Sequence, residues 1–217
     1  MKAKIKSILA TIDCLYPFDG TCFLDYDPAH PWQLLFATIL SAQCTDARVN
    51  IVTKTLFTQF PTLEAYATAN ITDIENAIRT TGFFRSKAGH LQKSAQKLLA
   101  EHDGKIPSDI EALTALSGVG RKTANVVRGH IFKIPSITVD THVMRISQKL
   151  GLTQSTDPVK IEFDLMEILP KPHWIPYNQQ IISHGRQVCT ARSPKCDKCE
   201  LMRLCKFVGG KPQPYKS

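Results

Sequence analysis
Four cysteines within 17 residues limit what this chain can fold into more than any other feature. Cys189, Cys196, Cys199 and Cys205 follow the pattern C-x6-C-x2-C-x5-C, so the segment must close on whatever its thiolates hold. Four thiolates satisfy a tetrahedral zinc or a [4Fe–4S] cluster. Zinc sites usually bring two C-x2-C knuckles, and here only Cys196 and Cys199 have that spacing. A single pass with unequal gaps favours iron–sulfur. Cys14, Cys22 and Cys44 lie apart and read as packed or idle thiols.

The cluster sits in a basic setting. The chain has 27 Lys+Arg against 19 Asp+Glu in 217 residues. Residues 183–217 alone carry a net +6 of the +8. A focused basic end suggests a polyanion, most simply nucleic acid; a Lys-rich solubilising tail is the other reading. The loop Thr190-Ala-Arg-Ser-Pro-Lys195 brings Arg192 and Lys195 between two pinned cysteines. A loop fixed that way loses less entropy on meeting DNA than a free one.

No apolar run approaches the roughly 18 residues of a membrane helix. The basic head of the chain resembles a signal peptide, but Asp13 interrupts it. Ile5, Ile8, Leu9, Ile12 and Leu15 fall at helical spacing instead. The reading is an amphipathic first helix of a cytoplasmic protein, nucleoid-associated if bacterial, where disulfides are not expected.

Helical signals recur along the chain, and the fold class they predict is all-α, with nine or ten helices. Trp32–Leu40 is a dense apolar run, and Thr45 or Asp46 can cap the next helix. Thr72-Asp-Ile-Glu75 and Ser108-Asp-Ile-Glu111 read as capping boxes, and Ser86 as the cap of a helix through Leu98. Asp140 reads as another cap, with Val143, Ile146 and Leu150 behind it. Asp157-Pro158 is a cap followed by proline at the first helical position. Ile134–Val139 is too short and proline-broken for a strand.

Leu116-Ser-Gly-Val-Gly-Arg-Lys-Thr-Ala124 turns from one helix into the next. Glycines allow positive φ and a close approach. Such a turn aims backbone N–H groups at one point, a geometry that grips phosphate without reading a base. Lys122 falls in the first turn of the second helix, where the dipole disfavours an ammonium. Partial burial there would favour the neutral amine that a Schiff-base nucleophile requires. A plain phosphate contact is the bland alternative. Asp140, at another helix start, is stabilised as an anion and could face an oxocarbenium ion; an ordinary N-cap is the alternative. Eleven helical residues span roughly 16 Å. The seven from Lys133 to Val139 reach at most roughly 23 Å. The chain can therefore return to set Asp140 beside Lys122.

Together with Val139-Asp-Thr-His-Val143, Leu40-Ser-Ala-Gln-Cys-Thr-Asp46, His184-Gly-Arg186 and the cysteine pattern, this hairpin closely resembles endonuclease III. That is a DNA glycosylase family of the helix-hairpin-helix superfamily, and the resemblance spans about Pro31 to Cys205. It implies two helical lobes with a DNA cleft between them. One is a six-helix barrel over residues 24–134, with the hairpin at about 108–131. The other joins 1–23 to 135–217 and holds a [4Fe–4S] cluster on Cys189, Cys196, Cys199 and Cys205. It implies Lys122 and Asp140 as the catalytic pair. Gly118, Gly120 and Arg121 would contact a phosphate, and Gln43 would fill the hole left by an extruded nucleotide. Phe83 stands at the wedge position, where relatives often carry leucine. The carbonyls of Thr114, Leu116 and Val119 are candidate ligands of a monovalent cation. Ser117 replaces the usual proline, which is expected to loosen the turn slightly.

The activity so implied is excision of damaged pyrimidines from duplex DNA, then nicking of the abasic site by β-elimination, performed by a monomer. A monofunctional adenine glycosylase of the same superfamily shares the cysteines. It lacks a lysine at the position of Lys122 and has an extra C-terminal domain, whereas 12 residues follow Cys205 here. A mismatch or dimer glycosylase, or a non-catalytic metal-containing DNA-binding module, are the remaining alternatives.

Overall fold
The computed structural model describes residues 2–208 and 211–212, so Lys216 of the basic end lies outside the described residues. Among them are eleven α-helices and one two-residue antiparallel pairing, Phe207–Val208 with Lys211–Pro212. The chain divides into two units, Cys22–Ile134 and the combined segments Met1–Thr21 and Pro135–Ser217.

The terminal unit begins with α1 (Lys2–Leu15), which buries Ile5, Ile8, Leu9 and Ile12 along one stripe. The central unit comes next in the chain, with seven helices. These are α2 (Trp32–Leu40), α3 (Asp46–Gln59), α4 (Leu63–Thr68), α5 (Ile71–Ala77), α6 (Phe84–Glu101), α7 (Ile110–Thr114) and α8 (Arg121–Phe132). Eight of the nine residues of α2 are buried, because a helix that is apolar all round can only sit inside. Trp32, Phe36 and Tyr66 meet there edge to face, with centroids 4.9 to 5.6 Å apart. Each fully buried leucine in this core, such as Leu34 or Leu91, contributes about 1.5–3 kcal/mol.

From Pro135 the chain returns to the unit of α1. It adds α9 (Thr141–Leu150), α10 (Pro158–Ile168) and α11 (Trp174–Gln187). The segment Ser136–Val139 is buried without being a strand, and Asn178 donates to the Thr138 carbonyl. Tyr177 is buried against Ser147, hydroxyl to hydroxyl at 2.9 Å, and burial pushes its phenol well above the usual range.

Three predicted caps are displaced, for local reasons. Asn70, not Thr72, opens α5, since its side chain accepts from both the N–H and the hydroxyl of Thr72. Asp109, not Ser108, caps α7 through the Ala112 N–H. Ser86 caps nothing; α6 starts two residues earlier, and the Ser86 hydroxyl pairs with His90. Thr45, Asp140 and Asp157 cap as expected.

Candidate active site
The hairpin runs from α7 to α8 through Gly118 and Gly120. Gly118 has φ +76°, and a Cβ there would lie 2.7 Å from His90 Cγ. Only glycine meets both demands. The turn closes with Val119 N–H donating to the Leu116 carbonyl at 3.2 Å. Gly120 precedes α8 and has no side chain to cap it, so the positive end of that helix opens outward. Ser117 ties the turn to α6. Its hydroxyl pairs with His90 Nδ1 at 2.9 Å, and its carbonyl accepts from the Ser94 hydroxyl at 2.8 Å. The hydroxyl bond is one that proline could not make, whereas the carbonyl would accept from Ser94 whichever residue stood here.

Lys122 lies in the first turn of α8 and is exposed, not partly buried as expected. Arg121 beside it is half-buried. Gln43 and Phe83 share an unusual backbone. Both are non-glycine residues with positive φ, +53° and +48°, and both are exposed, Phe83 at 67%. Left-handed non-glycine residues are costly and cluster where function demands them. Gly82, with φ +70°, leads into Phe83.

In the terminal unit, Asp140 is half-buried and caps α9, its Oδ1 accepting from Val143 N–H at 2.8 Å. One carboxylate oxygen is thus committed to the fold. Lys122 and Asp140 belong to different units.

The four cysteines line one open-mouthed cavity, shared with Lys149, Lys195 and Phe207. Among the described residues, no three His, Cys, Asp or Glu side chains converge on a single ion. Four thiols on one cavity are the donor set that a [4Fe–4S] cluster takes. Burial pushes the Cys199 and Cys205 thiols up, and the neighbouring thiolates push them further. A bound metal cation would reverse that preference and favour the thiolates. The cysteine loop is also tied by protein bonds. Arg145 donates to the Cys189 carbonyl at 2.6 Å, Lys195 N–H to the Val188 carbonyl, and the Thr190 hydroxyl to the Ser193 carbonyl. Arg192 and Lys195 are exposed on it.

Sequence reasoning gave His184 no role beyond its motif. The side chain is buried, with Nε2 at 3.6 Å from Cys199 Sγ and Nδ1 at 3.1 Å from the Tyr16 hydroxyl. Burial, with Arg145 nearby, holds it below the usual imidazole range. The neutral tautomer protonated on Nε2 would donate to the sulfur and accept from Tyr16, an outer-shell contact of the kind that orients metal ligands. Gly185 is next in the chain because a Cβ there would collide with His142 on α9.

Fold, hairpin and cysteine cavity are those of an all-helical helix-hairpin-helix protein with a four-cysteine loop. The family model of the HhH-GPD superfamily of base excision DNA repair proteins matches residues 36–171. That of the iron–sulfur binding domain of endonuclease III matches residues 189–205. Endonuclease III of Synechocystis sp. is 51% identical over 205 residues, 94% of this chain and 92% of that protein. Endonuclease III of Bacillus subtilis is 42% identical over 179 residues, 82% of each. A solved endonuclease III trapped as a covalent intermediate with DNA superposes with a TM-score of 0.89 at 41% identity, covering 95% of this chain and 96% of that one. The chain belongs to the endonuclease III family. It is a DNA-binding base-excision-repair glycosylase with AP lyase activity and a [4Fe–4S] cofactor, which favours the principal reading over the adenine, mismatch and non-catalytic alternatives.

Proposed function
We propose that this chain removes oxidised pyrimidines from duplex DNA and nicks the resulting abasic site through a Schiff base on Lys122. The observation that carries the reading is the exposed Lys122 amine in the first turn of a helix opened by a rigid glycine hairpin. Such an amine reaches a sugar whose phosphate the backbone N–H groups of Gly118, Gly120 and Arg121 hold.

Gln43 and Phe83 enter the stack, and the damaged base leaves it; extrusion costs least where damage has already weakened stacking. The Lys122 amine attacks C1′, and the base departs with the glycosidic electron pair. Asp140 offsets the positive charge that develops on the sugar. The nitrogen then loses a proton as the C1′–O4′ bond breaks and O4′ takes one up, which leaves the Schiff base; loss of a C2′ proton expels the 3′ phosphate. The Thr114, Leu116 and Val119 carbonyls would serve as ligands of a monovalent cation at the hairpin. Cys189, Cys196, Cys199 and Cys205 would hold the cluster, whose contribution when bound is a crosslink that fixes the Arg192/Lys195 loop. The protein acts as a monomer in the cytoplasm, and on the nucleoid if its cell is bacterial. No helix among the described residues is long and apolar enough to cross a membrane.

If the loop touches phosphates, each lost cation should reduce the slope of log K against log salt by about one. Binding of the Arg192→Ala, Lys195→Ala double variant measured across salt should therefore show a slope smaller by about two. An unchanged slope would remove the loop from the interface. The substrate class is tested with duplexes carrying thymine glycol, a T·G mismatch, a cyclobutane dimer, or adenine opposite 8-oxoguanine. Thymine glycol should be excised fastest, with a β-elimination end; preference for any of the other three would overturn the reading.

A further inference from the structure
Lys87 is a buried cation with no part in the chemistry of Lys122 and Asp140. It is 4% exposed, in the first turn of α6, and has no carboxylate partner among the described residues. Its ammonium donates instead to two carbonyls, those of Leu40 and Thr81, each at 2.8 Å. Burying an ammonium is expensive, and an apolar side chain of similar length would fill the space without that cost. The charge is kept because both acceptors end an element. Leu40 is the last residue of α2, where the helix dipole leaves negative, unsatisfied carbonyls. Thr81 is the last residue of the 3-10 turn Arg79–Thr81.

The residues just beyond the two acceptors give the arrangement its meaning. Gln43 comes three residues after Leu40 and Phe83 two residues after Thr81. Both are exposed, and both hold a left-handed backbone that persists only when the surroundings over-determine it. The Phe83 carbonyl also accepts from Lys87 N–H at 3.0 Å. One residue therefore grips the roots of both turns.

We propose that Lys87 is a positioning residue for duplex opening, whose ammonium fixes the turns of Gln43 and Phe83 at one separation so that the two side chains enter the stack together. The proposal rests on the reading of Gln43 and Phe83 as the side chains that enter the stack. It makes Lys87 necessary where a base must be pulled from a duplex and dispensable where there is no stack to open.

The test compares single-turnover excision from a thymine glycol duplex with cleavage of an abasic site in single-stranded DNA. Lys87→Met keeps the length of the side chain and removes its donors. Duplex excision should fall roughly a hundredfold, the scale on which a displacement of about 1 Å acts. Single-strand cleavage should stay within about threefold of wild type, on the same scale. Equal losses on both substrates, or no loss on either, would overturn the proposal. If Lys87→Met does not fold, judged by melting and cluster absorbance, Lys87→Gln takes its place; it lacks the charge and the reach, and the same ratio decides. Gln43→Ala and Phe83→Ala complete the cycle. If those two retain wild-type duplex excision, the reading of the turns fails. If they lose it and Lys87→Met adds its whole loss on top of theirs, that reading stands and the Lys87 proposal fails. Little further loss on top of theirs is the expected result.

Discussion

Lys122→Ala is expected to lose borohydride trapping on abasic DNA and strand cleavage, by at least about a thousandfold, or about 4 kcal/mol of barrier. Its fold and its DNA binding should survive. The position is exposed, alanine is the best helix former, and a positive charge leaves the unfavourable end of a helix dipole. The hairpin is held by Gly118, His90, Ser94 and Ser117, none of which involves the Lys122 side chain. Duplex affinity should thus fall by no more than one phosphate contact would cost. Trapping by Lys122→Ala at the wild-type level would move the amine to another residue and leave Lys122 as a phosphate contact.

What the sequence made legible was chemistry that a few neighbouring residues decide. Thr45, Asp140 and Asp157 cap because a short polar side chain reaches N–H groups two or three residues on. Gly118 reads as a turn because its own φ requires glycine. The cysteine spacing reads as a metal loop because four thiolates are repelled unless something cationic joins them. Boundaries shifted where two local candidates competed. Asn70 and Asp109 won caps assigned to Thr72 and Ser108, and α4, six residues between Thr62 and Ala69, carries too short a pattern to show a period.

The missing part was long-range. The partner of the Ser117 hydroxyl is His90, 27 residues away. Lys87 meets Leu40 across 47 residues, and His184 meets Tyr16 across 168. No periodicity encodes such partners. A lysine at a core-facing helical position next to Ala88 and Leu91 was the one signal available, since a cation seldom lies there unless acceptors await it. The resemblance filled part of the gap: it pointed to Gln43 and Phe83, which composition and spacing leave anonymous, and whose positive φ only the structure reveals.

Asp140 carries two duties that mutation can separate. Its Oδ1 accepts from Val143 N–H and caps α9. Asparagine caps as well as aspartate, so Asp140→Asn should fold with nearly wild-type stability, losing only the small dipole contribution of a charge, about 0.3–1 kcal/mol. Asp140→Ala loses the cap, at about 1 kcal/mol. For a chain of this size that lowers the melting temperature by about 2–4 °C. Chemistry should order the variants differently. Neither holds an anion against the sugar cation, so both should lose base excision by about a hundred- to a thousandfold, equivalent to roughly 3–4 kcal/mol. Both should still cleave a pre-formed abasic site, where no glycosidic bond must break. Melting curves and single-turnover excision on the same two preparations check this. Should Asp140→Asn excise at the wild-type rate while Asp140→Ala does not, the carboxylate would be a cap and nothing more, and the positive charge on the sugar would have to be met by another group.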